Sequence, residues 1–380
     1  MIRLPSIISS ISLSRISANK QRHPEGILSR KNSFFHSSTE KMRRMNKQNP
    51  RILPFSFKLA AGILVFAGLF MAAMLFGAAD VTVKDVWLAL TSSLANGQIT
   101  LLREIRLPRE VAAIFVGAAL AVSGAVMQGM TRNPLADPGL LGLTAGANAA
   151  LAFTIAFVPA VGYFGIMVAC FVGAVIGAGL VFGIGTLKKG GFSPLRIVLA
   201  GASVSAFLYA VSEGIGLVFK ISKDVSMWTA GGLVGTTWGQ LQAIAPFIAT
   251  GILIALVLSK QLTILSLSEE VAVGLGQKTL RVKAVLFVVV VLLAGASVAL
   301  VGNMAFIGLL VPHIVRAVVG TDYRFILPMS AVCGASFMLF ADTLARTIHA
   351  PYETPAATIV AMLGLPFFLL IERKGGRALS

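Results

Sequence analysis

The sequence predicts an all-α integral membrane protein, a polytopic bundle of about ten transmembrane helices. Three features lead there. Hydrophobic residues make up 56% of the chain and charged residues only 12%, about half the charged share of a soluble globular domain. Mean hydropathy is +0.86, and that much apolar surface needs lipid as its solvent. After Phe57 the apolar residues fall into runs close to the ~20 that cross a bilayer as a helix, broken by short polar segments.

In chain order the runs lie near 57–77, 110–130, 140–158, 162–186, 194–216, 241–259, 282–300, 303–319, 327–345 and 355–371. The second opens on Arg106-Leu-Pro-Arg109 and closes at Thr131-Arg-Asn-Pro-Leu-Ala-Asp-Pro-Gly139, where two prolines stop helices and hold a bend. Gly and Ala, rather than Leu, dominate several runs, as in Gly117–Gly124 and Gly173–Gly177. Small residues let helix backbones approach closely in lipid, which predicts tight packing within the chain.

The net charge of +17 is concentrated. Residues 1–58 carry twelve Lys or Arg against Glu25 and Glu40, and the remaining excess sits at the ends of the runs. That is charge bias across a membrane, not a nucleic-acid-binding face. Residues 1–56 read as a basic, disordered extension; no apolar core of a secretory signal is present, and its Arg/Ser-rich character only superficially matches a transit peptide. Met42 or Met45 is the expected working start. The transmembrane body is expected over 57–374 and a cytoplasmic tail over 375–380. With the N-terminus inside, the inner loops hold Arg132, Lys188, Lys189, Lys260, Lys278, Arg281, Lys283, Arg316 and Arg324, and the outer ones a mixture of Arg, Lys, Asp and Glu. This puts both termini in the cytosol. Trp87, Trp228 and Trp238 all fall on the outer side, where an aromatic belt is expected.

Cys170 and Cys333 lie inside apolar runs and read as small buried hydrophobes. The four histidines, His23, His36, His313 and His349, do not cluster, so neither a metal site nor a cofactor is expected, and no nucleophile–base pair suggests an enzyme. Glu213, late in the fifth run, is an acid facing either a cavity or the outer interface. Leu265–Lys283 is the longest inner loop among the later runs. Ser266-Leu-Ser-Glu269 fits a capping box, Gly274 and Gly276 suit a stop and a sharp turn, and Lys278, Thr279 and Arg281 suit the start of a second short helix. Two short helices would form a rigid cytosolic knob; the alternative is a loop held by lipid headgroups. Gly274-Leu-Gly-Gln-Lys-Thr279 is not a phosphate loop, because Gln277 separates Gly276 from Lys278 and no strand precedes it. Arg106, Arg109 and Arg346 sit at outer span ends, where they either anchor at headgroups or meet acidic groups of a partner. Asp342 and Arg346, four apart, can also partly neutralise each other.

Several separated segments resemble the permease subunits of the iron-siderophore and vitamin B12 (FecCD-like) ABC importer family. They are Arg106–Ala147 with its RLPR, SGAVMQ and NPLADPG elements, Gly302–Arg316, Gly320–Arg324, Ala341–Arg346 and the final run from Thr354. The tail departs from the family's acidic-Leu-Pro-x-Gly pattern, reading Glu353-Thr-Pro-Ala-Ala357, while Gly364-Leu-Pro366 keeps the later kink. The resemblance implies docking of an extracytoplasmic substrate-binding protein at Arg106, Arg109 and Arg346. It implies coupling to the ATPase through Glu269, Gly274, Leu275, Gly276 and Lys278, and an inner gate at Asn133, Pro134, Leu135, Ser193 and Pro194. Pro194 replaces a small hydroxyl residue of the B12 relative.

The implied function is a transmembrane permease that moves a ferric siderophore across a bacterial cytoplasmic membrane. Its implied partners are a second permease subunit (the same chain or a paralogue), two ABC ATPase subunits, the binding protein and membrane lipid, with no nucleic acid. Cobalamin or haem is the alternative cargo. An ion-coupled secondary transporter is the alternative class; it would carry proton-relay acids or ion-holding broken helices in mid-span, and the sequence offers few.

Overall fold

The computed structural model describes residues 54–77, 81–92, 96–186, 194–350 and 352–375. The expected extension up to residue 53, Lys188, Lys189, Ser193 and residues 376–380 of the tail lie outside the described residues. Every regular element described is helical. Helix α1 is Phe55–Leu75 and α2 is the short Val83–Thr91. Helix α3, Gly97–Leu101, passes through a π turn at Leu102–Arg106 into α4, Leu107–Thr131. A 3-10 turn, Pro138–Leu141, leads to α5 (Leu143–Phe157), α6 (Tyr163–Thr186) and α7 (Pro194–Val218). Then follow α8 (Ser222–Thr229), α9 (Trp238–Val257), α10 (Ser259–Leu267) and α11 (Glu269–Gly274). The last four are α12 (Thr279–Val301), α13 (Ile307–Val319), α14 (Tyr323–Thr347) and α15 (Ala356–Gly375).

Each of the ten expected apolar runs coincides with a helix. Among the described residues, seven helical stretches are long and apolar enough to cross a membrane: α1, the continuous Gly97–Thr131, α6, α7, α9, α12 and α14. Of the other three, α5 and α13 are apolar but shorter, and α15 is apolar over Ala356–Phe367. The reason is visible in α13. Its run loses its first residues to an irregular turn, where Gly302 and Phe306 take left-handed backbone (φ 75° and 68°). Irregular backbone at membrane depth needs protein around it. Here the Val301 carbonyl accepts from Gly232 N at 2.9 Å, and Met304 is buried.

Burial sorts the helices into centre and rim. The most apolar window of α4 is 83% buried, that of α1 only 11%. Helices α4, α12 and α14 form the centre. The rim helices turn Leu64, Ile176, Phe207 and Leu253 outward, as lipid-facing surfaces require.

Small residues bring the central backbones together as expected. A Cβ added to Gly124 would overlap the Gly308 backbone of α13, and one at Gly117 would meet the Gly334 carbonyl of α14. Gly173 and Gly177 of α6 face Gly146 and Gly142 around α5, so this small-residue repeat is used inside the chain. Gly68 on α1, by contrast, has open space around it. Gly124→Ala is expected to destabilise the detergent-solubilised chain by at least the ~1–3 kcal/mol typical of overpacking. Gly68→Ala is expected to stay within ~1 kcal/mol of the parent. Equal thermal stabilities for the two variants would contradict the close α4–α13 contact.

Candidate functional site

Helix α4 carries functional candidates at both ends. Its 25 residues span roughly 37 Å at 1.5 Å per residue. The end near Arg109 corresponds to the outer side of the sequence reading, and the end near Asn133 to the inner side.

At the outer end two ion pairs cross between α4 and α14. Arg109 Nε and Nη2 donate to Asp342 Oδ2 and Oδ1 at 2.9 and 3.0 Å. Arg346 Nη2 donates to Glu110 Oε1 at 2.5 Å. Arg109 and Glu110 are neighbours on one helix, while Asp342 and Arg346 are one turn apart on the other. The expected partial neutralisation of Asp342 by Arg346 is thereby corrected: each pairs across to α4 instead. Asp342 and Glu110 are fully buried, and Arg106, Arg109 and Arg346 nearly so. A buried carboxylate needs a cation that is itself held in place.

The arginines have a second duty. A helix leaves its last carbonyls without partners, and in lipid such groups are costly. Helix α1 ends at Leu75, and Phe76 N already donates to Ala72 O. Arg346 Nη2 donates to Ala73 O at 2.6 Å. Arg106 Nη1 donates to Met74 O and Leu75 O at 2.7 and 3.3 Å. The two guanidinium groups therefore cap α1, a placement that cations at a helix C-terminus favour. The π turn at Leu102–Arg106 lies immediately before α4 and ends on Arg106. Arg106 and Arg346 are thus buried against the end of α1 in this structure.

Arg109 keeps a link to the surface. Its Nη1 donates to both oxygens of Glu353, at 3.0 and 2.9 Å, and Glu353 is partly exposed. Both residues line a cavity of about 500 Å³ with Tyr163, Asp224 and Trp228. Sequence reasoning missed Glu353 and Glu110 as partners. Glu110 beside Arg109 mirrors the opposite signs of Asp342 and Arg346, but complementarity alone does not say which helices touch. All three tryptophans lie towards this end. Trp238 Nε1 donates to Arg103 O at 2.9 Å, Trp228 packs on Tyr163, and Trp87 is exposed on α2.

At the other end, Thr131-Arg132-Asn133 leaves α4 through a left-handed Arg132 (φ 55°). Asn133 Oδ1 accepts from Leu135 N at 2.9 Å, a side-chain turn that fixes the loop. Asn133, Pro134 and Leu135 are exposed. Pro194 is the first residue of α7, and Ser193 lies outside the described residues.

The short helices expected around Leu265–Lys283 have different boundaries. They are α10 and α11. Thr279 opens the long α12, not a second short helix, because nothing interrupts the apolar run beyond it. The cap of α11 is Ser268, whose Oγ accepts from Val271 N at 3.1 Å; Ser266 lies inside α10 and donates to Thr263 O at 2.7 Å. Gly276 makes the sharp turn with φ 77°, and Gln277 N donates back to Ala272 O at 2.9 Å. Lys283 Nζ donates to Glu269 Oε1 at 2.8 Å, tying α11 to α12. Gln277 Nε2 donates to Gln261 O at 3.0 Å, tying the turn to α10. On this braced base Val271, Val273, Leu275 and Leu280 are exposed, as are Gly274 and Lys278.

His313 is half-buried and meets the Phe367 ring edge-on. Glu213 is exposed. Cys170 and Cys333 are free thiols.

The profile of the FecCD transport family matches residues 44–374. The chain is 43% identical over 325 residues, 84% of each chain, to the iron(3+)-hydroxamate import system permease protein FhuB of Bacillus subtilis (strain 168). It is 40% identical over 299 residues to the Fe(3+)-citrate import system permease protein YfmD of the same organism, covering 79% of this chain and 89% of that one. A solved metal-chelate type ABC transporter in an inward-facing conformation superposes with a TM-score of 0.75 at 26% identity, covering 84% of this chain and 99% of its own. With its helices and its separated motifs accounted for, the chain belongs to the FecCD transport family, as a multi-pass permease of the cytoplasmic membrane.

Proposed function

We propose that the chain moves a ferric siderophore into the cytosol as one permease subunit of an ATP-driven importer. The observation that carries this reading is the α10–α11 knob. It presents apolar Val271, Val273 and Leu275 to water on a base braced by Lys283–Glu269 and Gln277–Gln261. A soluble end of a membrane protein leaves such a patch uncovered only where a partner covers it. Two separate ATPase subunits are that partner, since the sequence holds no phosphate loop. Leu275, Gly274, Gly276 and Lys278 form the contact, and Glu269 braces it from within. A second permease subunit, identical or paralogous, completes the path, and both termini lie in the cytosol. The cargo assignment is supported by the relatives that import ferric hydroxamate and ferric citrate.

At the outer face the binding protein docks over Arg109 and releases the chelate into the cavity beside Glu353. Arg106 and Arg346 hold the rim by capping α1. An acidic group of the binding protein competes with Glu353 for Arg109 Nη1, while Asp342 keeps the other edge of the guanidinium. The path narrows at Asn133, Pro134 and Leu135, with Ser193 and Pro194 opposite, before the cytosol.

Reconstituted with its binding protein and ATPase subunits, the chain is expected to accumulate labelled ferric hydroxamate siderophore only with ATP, and equally with the proton gradient dissipated. Uptake without ATP that collapses with the gradient would assign a secondary transporter. Leu275→Asp should leave the chain folded but weaken ATPase capture and abolish stimulated hydrolysis; unchanged stimulation would move the coupling surface elsewhere. Glu353→Gln, which removes an internal competitor without breaking Arg109–Asp342, should tighten binding-protein docking several-fold. Unchanged affinity would remove Arg109 from the docking surface.

A further inference from the structure

The inner end of the bundle holds a feature that the transport reading does not use. A cleft of about 480 Å³ opens between the end of α4, α10 and the first turn of α14. Arg132 and Arg316 both line it.

Arg316 is placed there by the local chemistry of α13. Pro312 has no N–H, so the Gly308 carbonyl four residues earlier loses its helical donor. Gln128 Nε2 of α4 supplies a replacement at 3.2 Å. The amide so oriented offers Oε1 to Arg316 Nη2 at 3.0 Å, and the same Nη2 reaches Tyr323 Oη at 3.3 Å. Both acceptors are uncharged. Arg316 Nε and Nη1 have no acceptor among the described residues, and neither Arg316 nor Arg132 forms an ion pair there. Arg132 is exposed.

One acid lines the cleft, Asp322. Its carboxylate accepts from Arg324 Nε and Nη2 at 2.9 and 2.6 Å and from Thr263 Oγ1 at 3.1 Å. The Arg324 hydrogen bond, chiefly, holds Asp322 below the ordinary carboxylate range. Asp322 and Arg324 thus neutralise each other, and the cleft keeps two uncompensated positive charges. Ser266 adds a hydroxyl to its wall, and exposed Leu267 and Pro134 give it an apolar shoulder.

We propose that this cleft binds a phosphate-bearing anion, with the phosphate held between Arg316 and Arg132. The planar guanidinium fork matches phosphate oxygens, and basic pockets between helix ends at the cytoplasmic side hold anionic headgroups. The same chemistry is met by an anionic phospholipid or by free inorganic phosphate. The position at a span end, with Leu267 and Pro134 beside the arginines, suits a headgroup whose acyl chains run along the bundle.

The test is native mass spectrometry of the full chain in neutral detergent. Phosphatidylglycerol is titrated against phosphatidylcholine of the same acyl chains, with and without inorganic phosphate. The proposal expects preferential retention of phosphatidylglycerol, weakened about fivefold by Arg132→Gln and about fivefold by Arg316→Gln. Lys278→Gln, outside the cleft, should leave it unchanged. Arg132 makes no internal hydrogen bond among the described residues, so its variant tests the cleft even where the Arg316 variant fails to fold. Retention that millimolar inorganic phosphate displaces, or phosphate-dependent stabilisation lost in Arg132→Gln without a lipid preference, assigns the site to free phosphate. No preference for either anion, or a preference untouched by Arg132→Gln, overturns the proposal. Loss of ATPase capture in that variant with lipid selectivity intact would give the cleft to the protein partner and overturn it equally.

Discussion

The structure depends on the crossed ion pairs at the outer end of α4 and α14. Arg109–Asp342 and Glu110–Arg346 are buried, and breaking such a pair from one side costs about 3–5 kcal/mol because a lone charge stays in an apolar surround. Two pairs of opposite polarity, one turn apart, fix how far one helix can slide along the other. A slip by a turn would set like charges together. Arg346 of that clamp, together with Arg106, reaches across to the open carbonyls of α1. Three helices are thus held together at one end by buried charged groups.

Below that clamp the packing is apolar and close. Gly117 and Gly124 let α4 touch α14 and α13 backbone to backbone, so the bundle's centre has little room to shear. Outside this centre lie the Asn133–Leu135 loop, the α10–α11 knob and the loop bearing Glu353. That division suits a permease. A close-packed centre is suited to moving as one body, and the elements proposed to meet partners lie outside it. The pairing of Arg109 with a partly exposed acid and a buried one also separates two functions in one side chain. Asp342 holds it in the fold and Glu353 ties it to the surface.

The fold was largely legible in the sequence because lipid imposes a strong rule: backbone groups must be satisfied within a helix, so apolar runs of the right length become helices. All ten runs did. The shortness of α13 was not legible, because Gly302 and Phe306 bend the chain inside an apolar stretch where Asn303 is the only polar side chain, and a single amide does not announce a break. The knob was half legible. Gly276 announced its turn, but Ser266 and Ser268 compete for the cap, and only the geometry selects Ser268. The arginines were the hardest. A cation at a span end reads the same whether it faces water, a headgroup or another helix, and only the third dimension showed that Arg106 and Arg346 face α1. Likewise, nothing in the spacing of Gln128, Pro312 and Arg316 tells that the first repairs the carbonyl freed by the second and steers the third.

The clamp is tested most directly by a double-mutant cycle on Glu110→Gln and Arg346→Met, read as unfolding free energy of the detergent-solubilised chain. The account predicts that each single variant is strongly destabilised and that the double variant loses less than the two losses added together, with a coupling of roughly 0.5–3 kcal/mol. Strict additivity would mean that the two side chains do not hold each other, and the register of α4 on α14 would then need another cause.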